Sequence, residues 1–275
     1  MGEGAAAPGR RRRTGAGVTL VAVAVHGRGL VDPAQPVFDA DDEAVLRGAM
    51  AFETLRTYAG RPFLLDRHLA RFDGSLAALA LPPADGAREL VALAVGAGPP
   101  DHVLRLYRGS HALVATVAAL PPELEQLRAH GIALRTVDAG VPPALIARAK
   151  ATSYASAFAA TRSAVAEGAD DALLVSRGSV LDAPTANIWA RFGEELRTPP
   201  LGAGVLPGVT RSLILELAEV TEIELRLEEL LAADEVFVTS SVREVMPVRA
   251  VDDQRFAPGP AAARLQADLR LRSTS

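Results

Sequence analysis

Hydrophobic and polar positions in the first half of the chain alternate between the strand period and the helix period. Short apolar runs bounded by glycine and proline predict strands over 18–25, 52–58, 62–65, 103–107 and 112–117. Ala59-Gly60 lies between two of these runs and indicates a hairpin. Apolar residues at helical spacing predict two helices. One is capped by Asp66 and ends at Leu79, and the other covers 88–95.

The second half of the chain is richer in strands. Strands are predicted over 132–137, 172–176, 179–181, 187–192, 195–197, 222–227 and 235–239. Short turns separate the four strands between 172 and 197, which predicts a meander. Helices are predicted over 154–167, with Gly168 after the last turn, and from the loop 206–210 to Ala218.

This mixed order of elements predicts an α+β fold in two domains. We place an N-terminal α+β domain at 18–122 and a larger, strand-rich domain at 123–275. The first 17 residues are small, polar or basic and show no periodicity, so they predict a disordered tail. The tail contains the run Arg10 to Arg13, but the net charge of the whole chain is −4. A nucleic-acid partner is therefore not expected.

Composition excludes several classes of protein. The 275 residues are 49% hydrophobic and include no cysteine. Disulfides, thiolate metal sites and cysteine nucleophiles are thereby excluded, and a cytoplasmic location is expected. The five histidines show no metal-binding spacing, so no metal is expected. Apolar runs stay far below the roughly 20 residues of a membrane-spanning helix, so no membrane partner is expected either.

Lys150 is the only lysine among the 29 lysine and arginine residues. Arginine replaces lysine wherever only a positive charge is needed, but a guanidinium cannot act as an amine nucleophile at neutral pH. One explanation is therefore chemical, and the other is an arginine-biased composition that left one surface lysine. Tyr154 follows at helical spacing, so a phenol can share the surroundings of this amine.

Three further segments carry groups that suit an anion. The loop Leu206-Pro-Gly-Val-Thr210 leads into a helix start, where free backbone N–H groups can bind phosphate. Thr239-Ser240-Ser241 places hydroxyl groups at the end of a predicted strand. His68 and Arg71 lie three residues apart on one helix face. Each of these segments is also explained by an ordinary turn or a solvated helix face.

Seven segments together resemble one family, the class IV (fold-type IV) pyridoxal-phosphate enzymes. This family includes branched-chain and D-amino-acid aminotransferases and 4-amino-4-deoxychorismate lyase. The segments occur in the family's order across roughly residues 18–270. They are Phe52-Glu-Thr-Leu-Arg56, His68-Leu-Ala-Arg71, Lys150-Ala-Thr-Ser-Tyr154, Gly178-Ser-Val-Leu-Asp-Ala-Pro-Thr-Ala-Asn187, Thr198-Pro-Pro200, Leu206-Pro-Gly-Val-Thr-Arg211 and Ser241-Val-Arg-Glu-Val-Met-Pro-Val248.

The resemblance implies pyridoxal 5′-phosphate (PLP) as cofactor and assigns a set of residues to it. Lys150 matches the catalytic lysine that forms the Schiff base with the cofactor and carries protons. Arg71 matches the arginine that holds the cofactor phosphate, and Asp182 matches the carboxylate opposite the pyridine nitrogen. The remaining matches to cofactor-binding positions are Tyr154, Val209, Thr210, Ser240 and Ser241. The resemblance also implies a homodimer.

Two departures from the family concern the cofactor ring and the substrate side. The family usually has glutamate where this chain has Asp182, which is one methylene shorter. Related sequences tend to carry Gly-Asp-Gly where this chain reads Gly48-Ala49-Met50. Phe52, Arg105 and Arg108 are candidate substrate residues. Arg105 and Arg108 cannot both point to one side of a regular strand.

Three functions remain open from the sequence, all on a small amino substrate. The first is a lyase that releases pyruvate from 4-amino-4-deoxychorismate and leaves 4-aminobenzoate, a reaction of folate biosynthesis. The motifs at 52–56, 150–154 and 241–248 look more like those of lyase members. The second is a class IV aminotransferase, of branched-chain or D-amino-acid type. The third is a family member that binds a ligand without turnover.

Overall fold

Two β-sheets, one from each half of the chain, form the framework of the computed structural model, which describes residues 19–140 and 149–274. The predicted tail over 1–17 lies outside the described residues. The predicted domain bounds stay a prediction. In the described residues the strands of the first sheet end at Ala118 and those of the second begin at Ile132.

The first sheet has six strands in the order β2-β1-β6-β5-β3-β4, and every pair is antiparallel. Its strands are β1 (Leu20–Val25), β2 (Gly29–Val31), β3 (Ala51–Tyr58), β4 (Arg61–Pro62), β5 (Val103–Arg108) and β6 (Leu113–Ala118). The predicted hairpin at Ala59-Gly60 is confirmed, with both residues at positive φ, as a tight two-residue turn requires. The strands predicted over 103–107 and 112–117 are also confirmed, and they pair with each other as β5 and β6.

Helices α2 (Leu65–Ala78) and α3 (Ala87–Gly96) pack on one face of this sheet. The short helix α1 (Glu43–Leu46) lies between β2 and β3 along the chain. Phe72 and Leu76 of α2 join Leu55 and Leu104 of the sheet in one buried core. Both predicted helices are confirmed, but Asp66 is not the N-cap. The N-cap is Leu64, at φ 54°, because the chain turns there to bring Leu64 against the core of the second half.

The second sheet has nine strands. Eight follow the order β12-β11-β10-β13-β14-β7-β8-β9, and β15 pairs with β14. The strands are β7 (Ile132–Asp138), β8 (Asp171–Ser176), β9 (Ser179–Val180), β10 (Asn187–Phe192), β11 (Glu195–Thr198), β12 (Thr221–Glu222), β13 (Glu235–Ser240), β14 (Glu244–Val251) and β15 (Gln254–Arg255). β7 runs parallel to both of its neighbours, β8 and β14.

The predicted meander over 172–197 is wrong. Its strands form two hairpins, β8-β9 and β10-β11, which lie at opposite ends of the strand order with β13, β14 and β7 between them. The predicted strand over 222–227 is shorter than expected, since only Thr221–Glu222 pairs as a strand. The residues after Thr221–Glu222 form hydrogen bonds with strands near both ends of the sheet. Ile223 N–H donates to Thr198 O, and Val180 N–H donates to Leu225 O. The sheet is therefore curled until its two edges meet across this segment.

Within the described residues, five α-helices contact the second sheet: α4 (Leu124–His130), α5 (Ala155–Ala166), α6 (Val209–Leu217), α7 (Leu227–Leu231) and α8 (Pro260–Thr274). The helices predicted to end at Gly168 and at Ala218 are α5 and α6. α8 begins at a buried carboxylate, because Glu235 accepts hydrogen bonds from the N–H groups of Ala261 and Ala262. Of the helices in the described residues, none is long and apolar enough to span a membrane.

Candidate active site

Lys150 lies on a short extended segment that pairs with the beginning of β3. Phe52 N–H donates to Lys150 O at 2.9 Å, and Thr152 N–H donates to Met50 O at 2.8 Å. Ala51 and Ala151 form an isolated antiparallel bridge. Lys150 and Phe52 therefore occupy opposed positions on one face of the pairing. This register places the lysine side chain beside the aromatic residues of the first sheet.

The Lys150 amine is buried against two aromatic rings. Its Nζ lies 4.4 Å from the centre of the Phe52 ring and 5.8 Å from that of Tyr154, and the residue is 9% exposed. Burial, with the nearby positive charge of Arg71 as a second cause, lowers the pKa of Lys150 from 10.5 to about 8, although Glu53 acts in the opposite direction. In the described part of the chain the amine has neither a hydrogen bond nor an ion pair. The unprotonated amine, which is the nucleophilic form, is thus far more populated at neutral pH than in an ordinary lysine.

Arg71 is held by the carboxylate of Glu53. The guanidinium donates from Nε to Glu53 Oε1 at 2.8 Å and from Nη2 to Oε2 at 2.7 Å, so the pair is bidentate. Arg71 Nη1 donates to Pro207 O at 3.0 Å, which ties the arginine to the loop before α6. Burial opposes ionisation of Glu53, but Arg71 and His68 outweigh it and lower its pKa to about 2.

His68 connects this carboxylate to the turn after β13. Its Nδ1 lies 2.7 Å from Glu53 Oε2, and its Nε2 lies 3.4 Å from Ser241 Oγ. A carboxylate only accepts, so we assign the imidazole proton to Nδ1, which leaves Nε2 to accept from the serine hydroxyl. Burial lowers the pKa of His68, although Glu53 acts in the opposite direction. His68 is therefore uncharged at neutral pH, and it fixes the position of Ser241 relative to Glu53.

The loop before α6, which the sequence predicts as an anion site, leads directly into the helix start. Gly208 is the N-cap and supplies no side-chain acceptor to the first turn of the helix. Gly208 has a structural reason, because a Cβ at this position would lie 1.9 Å from Asn187 Oδ1. Val209 and Thr210 begin the helix, and together with Ser240 and Ser241 they line one small cavity. The helix start thus lies beside the serine turn, with Arg71 bound to the preceding residue.

Asp182 follows β9 and reaches the same loop. Asn187 Nδ2 donates to both Asp182 carboxylate oxygens at 3.2 and 3.0 Å, and Leu206 N–H donates to Oδ2 at 3.2 Å. No ion pair to this carboxylate occurs among the described residues. Burial raises the pKa of Asp182 to about 8, more than the bonds from neutral donors lower it. The carboxylate therefore lacks a cationic partner.

Aromatic side chains form a wall beside the amine. Phe52 stacks on Tyr107 of β5 at 6.2 Å and meets Tyr154 edge-on at 5.4 Å. Arg105, two residues from Tyr107, shares this face, and its charge contributes to lowering the pKa of Lys150. Arg108 lies on the opposite face of β5, where it donates to Pro82 O and His111 O. The structure does not bring Arg108 to the other candidates.

The segment Gly48-Ala49-Met50, which differs from the family motif, contacts the residues that follow Lys150. Gly48 O accepts from Thr152 Oγ1 at 3.0 Å, and a Cβ on Gly48 would lie 3.3 Å from the Ser153 backbone. The segment therefore packs directly against the chain that carries Lys150. A groove of about 610 Å³ between α2 and the start of α3 contains none of the candidate residues.

The structure thus joins most of the predicted residues through one chain of contacts. It runs from Asp182 to the 206–210 loop, then to Arg71, Glu53, His68 and Ser241. Lys150 is near enough for the charge of Arg71 to lower its pKa. Sequence reasoning missed Glu53, which holds Arg71, and Asn187, which holds Asp182. Both residues lie inside quoted motifs, so their signal was present in the sequence.

Comparison with known proteins defines the class first. The solved structure of a hypothetical aminotransferase from Mycobacterium tuberculosis in its PLP-bound form has a TM-score of 0.83 to this chain and 29% sequence identity, and the alignment covers 92% of this chain and 98% of that one. The architecture is that of the fold-type IV PLP enzymes, and the predicted fold class is confirmed.

The sequence profile described as Amino-transferase class IV matches residues 50–251, and the chain belongs to this family. A bifunctional aminodeoxychorismate lyase / D-amino acid transaminase from Mycobacterium tuberculosis is 31% identical over 85% of this chain and 92% of its own length. An aminodeoxychorismate lyase from Bacillus subtilis is 29% identical over 88% of this chain and 91% of its own length.

The protein is a PLP-dependent enzyme, a lyase or an aminotransferase, and PLP is its cofactor. The residues present fit this group in three respects. A buried amine lacks an acceptor, a helix start flanked by arginine suits a phosphate, and a buried carboxylate lacks the cation that a protonated ring nitrogen supplies.

Proposed function

We propose that this enzyme is a 4-amino-4-deoxychorismate lyase, which eliminates pyruvate and leaves 4-aminobenzoate. The observation that carries the proposal is the buried Lys150 amine, with its pKa near 8, set beside Arg71 and against the Phe52 and Tyr154 rings. An amine in this state is ready to react with an aldehyde, and the aromatic wall suits a substrate with a carbon ring.

Two further observations favour the lyase over the aminotransferase. The motifs at 52–56, 150–154 and 241–248 resemble those of lyase members. The names of the two relatives described above both include aminodeoxychorismate lyase. The guanidinium of Arg105 faces the same side as Lys150 and would bind a substrate carboxylate.

In this proposal each residue has a stated task. Lys150 would hold the cofactor until the substrate amine displaces it, and the freed Lys150 amine would then take the proton from the substrate carbon that bears the nitrogen. Arg71, the α6 start and Ser240-Ser241 hold the phosphate, and Tyr154 lies at the ring. Asp182 keeps the ring nitrogen protonated. PLP, when bound, supplies an electron sink that stabilises negative charge on that substrate carbon.

Loss of the proton allows the carbon–oxygen bond on the neighbouring ring carbon to break. The three-carbon side chain leaves as enolpyruvate, which takes up a proton to become pyruvate, and the ring becomes aromatic. Exclusion of water by the Phe52, Tyr107 and Tyr154 rings favours this elimination over side reactions.

The decisive experiment supplies 4-amino-4-deoxychorismate to the PLP-loaded enzyme. Pyruvate is measured through lactate dehydrogenase and loss of NADH, and 4-aminobenzoate by chromatography. Both products should appear in equal amounts, and Lys150→Ala should make neither. Wild-type enzyme that binds PLP but releases no pyruvate contradicts the lyase proposal.

Transamination is the second candidate, because one relative's name includes D-amino acid transaminase. In that reaction Lys150 would return the proton to the cofactor carbon instead of permitting elimination. A panel of L- and D-amino acids with 2-oxoglutarate tests it through formation of glutamate. Turnover in either assay excludes a family member that only binds.

We further propose that the enzyme acts as a homodimer in the cytoplasm and serves folate biosynthesis. The homodimer follows from family resemblance, and sedimentation of the PLP-loaded protein tests it. The absence of cysteine supports the cytoplasmic location.

A further inference from the structure

Ser75 connects the helix that carries Arg71 to the backbone of Lys150. Its hydroxyl donates to Arg71 O at 3.0 Å, one turn earlier on α2. The same oxygen accepts from Lys150 N–H at 3.0 Å. Ser75 is 1% exposed, so neither bond competes with bulk water. A hydroxyl has one proton and two lone pairs, and it can make both bonds at once.

Within the described part of the chain, two hydrogen bonds hold the backbone groups of Lys150 itself. Lys150 lies in neither a helix nor a named strand, and its flanking pairing with β3 is a single isolated bridge. On its carbonyl side, Lys150 O accepts from Phe52 N–H. On its amide side, Ser75 Oγ is the partner within the described residues. The position of the lysine backbone therefore depends on this hydroxyl.

We infer that Ser75 is a positioning residue, which fixes the Lys150 backbone relative to the Arg71 phosphate anchor. The inference rests on the proposed role of Lys150 in holding the cofactor. Ser75 does not touch the reacting atoms, and it acts through the two residues that it bridges. The alternative is that Ser75 serves only its own helix, through its hydrogen bond to Arg71 O. In that case removal of the hydroxyl would leave the Lys150 backbone and its amine unchanged.

Removal of the hydroxyl has a definite consequence. In Ser75→Ala the buried N–H of Lys150 loses its acceptor, and the segment must move to find water. The amine then withdraws from the Phe52 and Tyr154 rings. Because burial is the main cause of the low pKa of Lys150, greater exposure raises that pKa toward 10.5.

Because the chain contains a single lysine, the pKa of Lys150 can be measured without interference from other lysines. Cofactor-free protein labelled with ¹³C at the lysine ε-carbon gives one lysine resonance, and its pH titration reports the pKa of the free Lys150 amine directly. The wild-type midpoint should lie near 8. Ser75→Ala should raise it by at least about half a pH unit and weaken PLP binding roughly tenfold, measured by absorbance titration.

Two further variants separate positioning from helix structure. Ser273→Ala removes a buried serine hydroxyl that donates to Arg270 O in α8, and it should leave both readings unchanged. Ser75→Thr keeps the hydroxyl and should restore PLP binding relative to Ser75→Ala. Thermal unfolding of each variant shows that it is folded.

The outcomes distinguish this inference from the proposed function. If the wild-type midpoint lies near 10.5, or if borohydride reduction fixes no PLP on Lys150, the proposed role of the lysine fails. If the wild type behaves as expected and Ser75→Ala matches it in both readings, the role of Ser75 alone is overturned.

Discussion

At the scale of single residues, the site is governed by buried ionisable groups whose charges are set by their neighbours. Glu53 is ionised because Arg71 and His68 offset its burial, whereas Asp182 has only neutral donors and its pKa is raised. Lys150 is partly neutral because burial and Arg71 both disfavour its charge. These three groups differ in environment more than in burial, and their protonation states follow from it.

Glu53→Gln should lower both stability and PLP affinity. The Glu53 pKa is about 2 in the folded chain against 4.5 ordinarily, so its ionised form stabilises the fold by about 3 kcal/mol. That contribution is fully present above about pH 4.5 and is lost as the pH falls toward 2. Urea unfolding should therefore show a difference of about 3 kcal/mol from wild type at neutral pH, and the difference should narrow at low pH.

A matched control for Glu53→Gln is Glu43→Gln, whose exposed carboxylate pairs with Arg47 on the surface. It should change stability by less than about 0.5 kcal/mol. Equal stability of Glu53→Gln and wild type would show that the buried pair does not hold the site together.

Asp182→Asn should separate stability from activity. The pKa of Asp182 is about 8 in the folded protein against 3.8 ordinarily. The cofactor-free protein therefore loses stability as the pH rises from 3.8 to about 8, because only the unfolded chain ionises freely in this range. The neutral amide removes this cost, so the cofactor-free variant should be more stable than wild type at pH values above neutral. Activity should fall at least about a hundredfold, because the ring nitrogen loses its anion. Retention of full activity would exclude the proposed role of Asp182.

At the scale of elements, the start of α6 decides whether the site can form. The 206–210 loop bonds to Asp182 and Asn187 through Leu206 and to Arg71 through Pro207. Two separate parts of the chain, α2 and the segment from Asp182 to Asn187, therefore meet one turn of backbone. The sequence motif predicts the helix start, but only the fold supplies its three partners.

Gly208→Ala should destabilise the protein and abolish tight PLP binding. The added Cβ would lie 1.9 Å from Asn187 Oδ1, so either the helix start or the Asn187 side chain must move. We expect a loss of about 2 kcal/mol in urea unfolding and at least a tenfold rise in the PLP dissociation constant. Gly74→Ala is the control, because Gly74 lies in the α2 interior with open space around it. That variant should gain about 0.5–1 kcal/mol.

At the scale of the whole molecule, Glu244 joins the two sheets to the helices between them. Its buried carboxylate accepts from Tyr58 OH at 2.6 Å and from Gln266 Nε2 at 2.7 Å. It also pairs with three guanidinium groups, those of Arg56, Arg128 and Arg270. Burial would raise the pKa of Glu244, but the Tyr58 bond and the arginines lower it.

Glu244→Ala should destabilise the protein by about 3–5 kcal/mol, because three cations lose their shared anion. It should also reduce cooperativity between the halves. Trp189 is the only tryptophan and is buried in the second sheet, so its fluorescence reports that half alone. In wild type, fluorescence and circular dichroism should give one urea transition, and in the variant the dichroism should begin to fall first.

Tyr58→Phe is the control for Glu244→Ala, since it removes a single hydrogen bond and should cost about 1 kcal/mol. Coincident transitions in Glu244→Ala would show that other contacts couple the halves.

Local patterns in the sequence determined most elements of the fold. Short apolar runs located β3, β5, β6 and β13, and helical spacing located α2 and α6, because these signals depend on residues near in sequence. They did not reveal that β8-β9 and β10-β11 lie far apart in the strand order. Strand partners such as Asn187 and Thr239 are distant along the chain, and pairing between them leaves no local trace.

The sequence by itself determined the chemical types at the site. The single lysine, the arginine of α2, the hydroxyl turn and the loop 206–210 were visible as residues and motifs. Only the tertiary structure decided which of them meet, how Glu53 and Ser75 orient them, and that Arg108 points away. The physical reason is that side-chain identity is written locally, whereas burial, hydrogen-bond partners and the resulting pKa values arise from segments far apart along the chain.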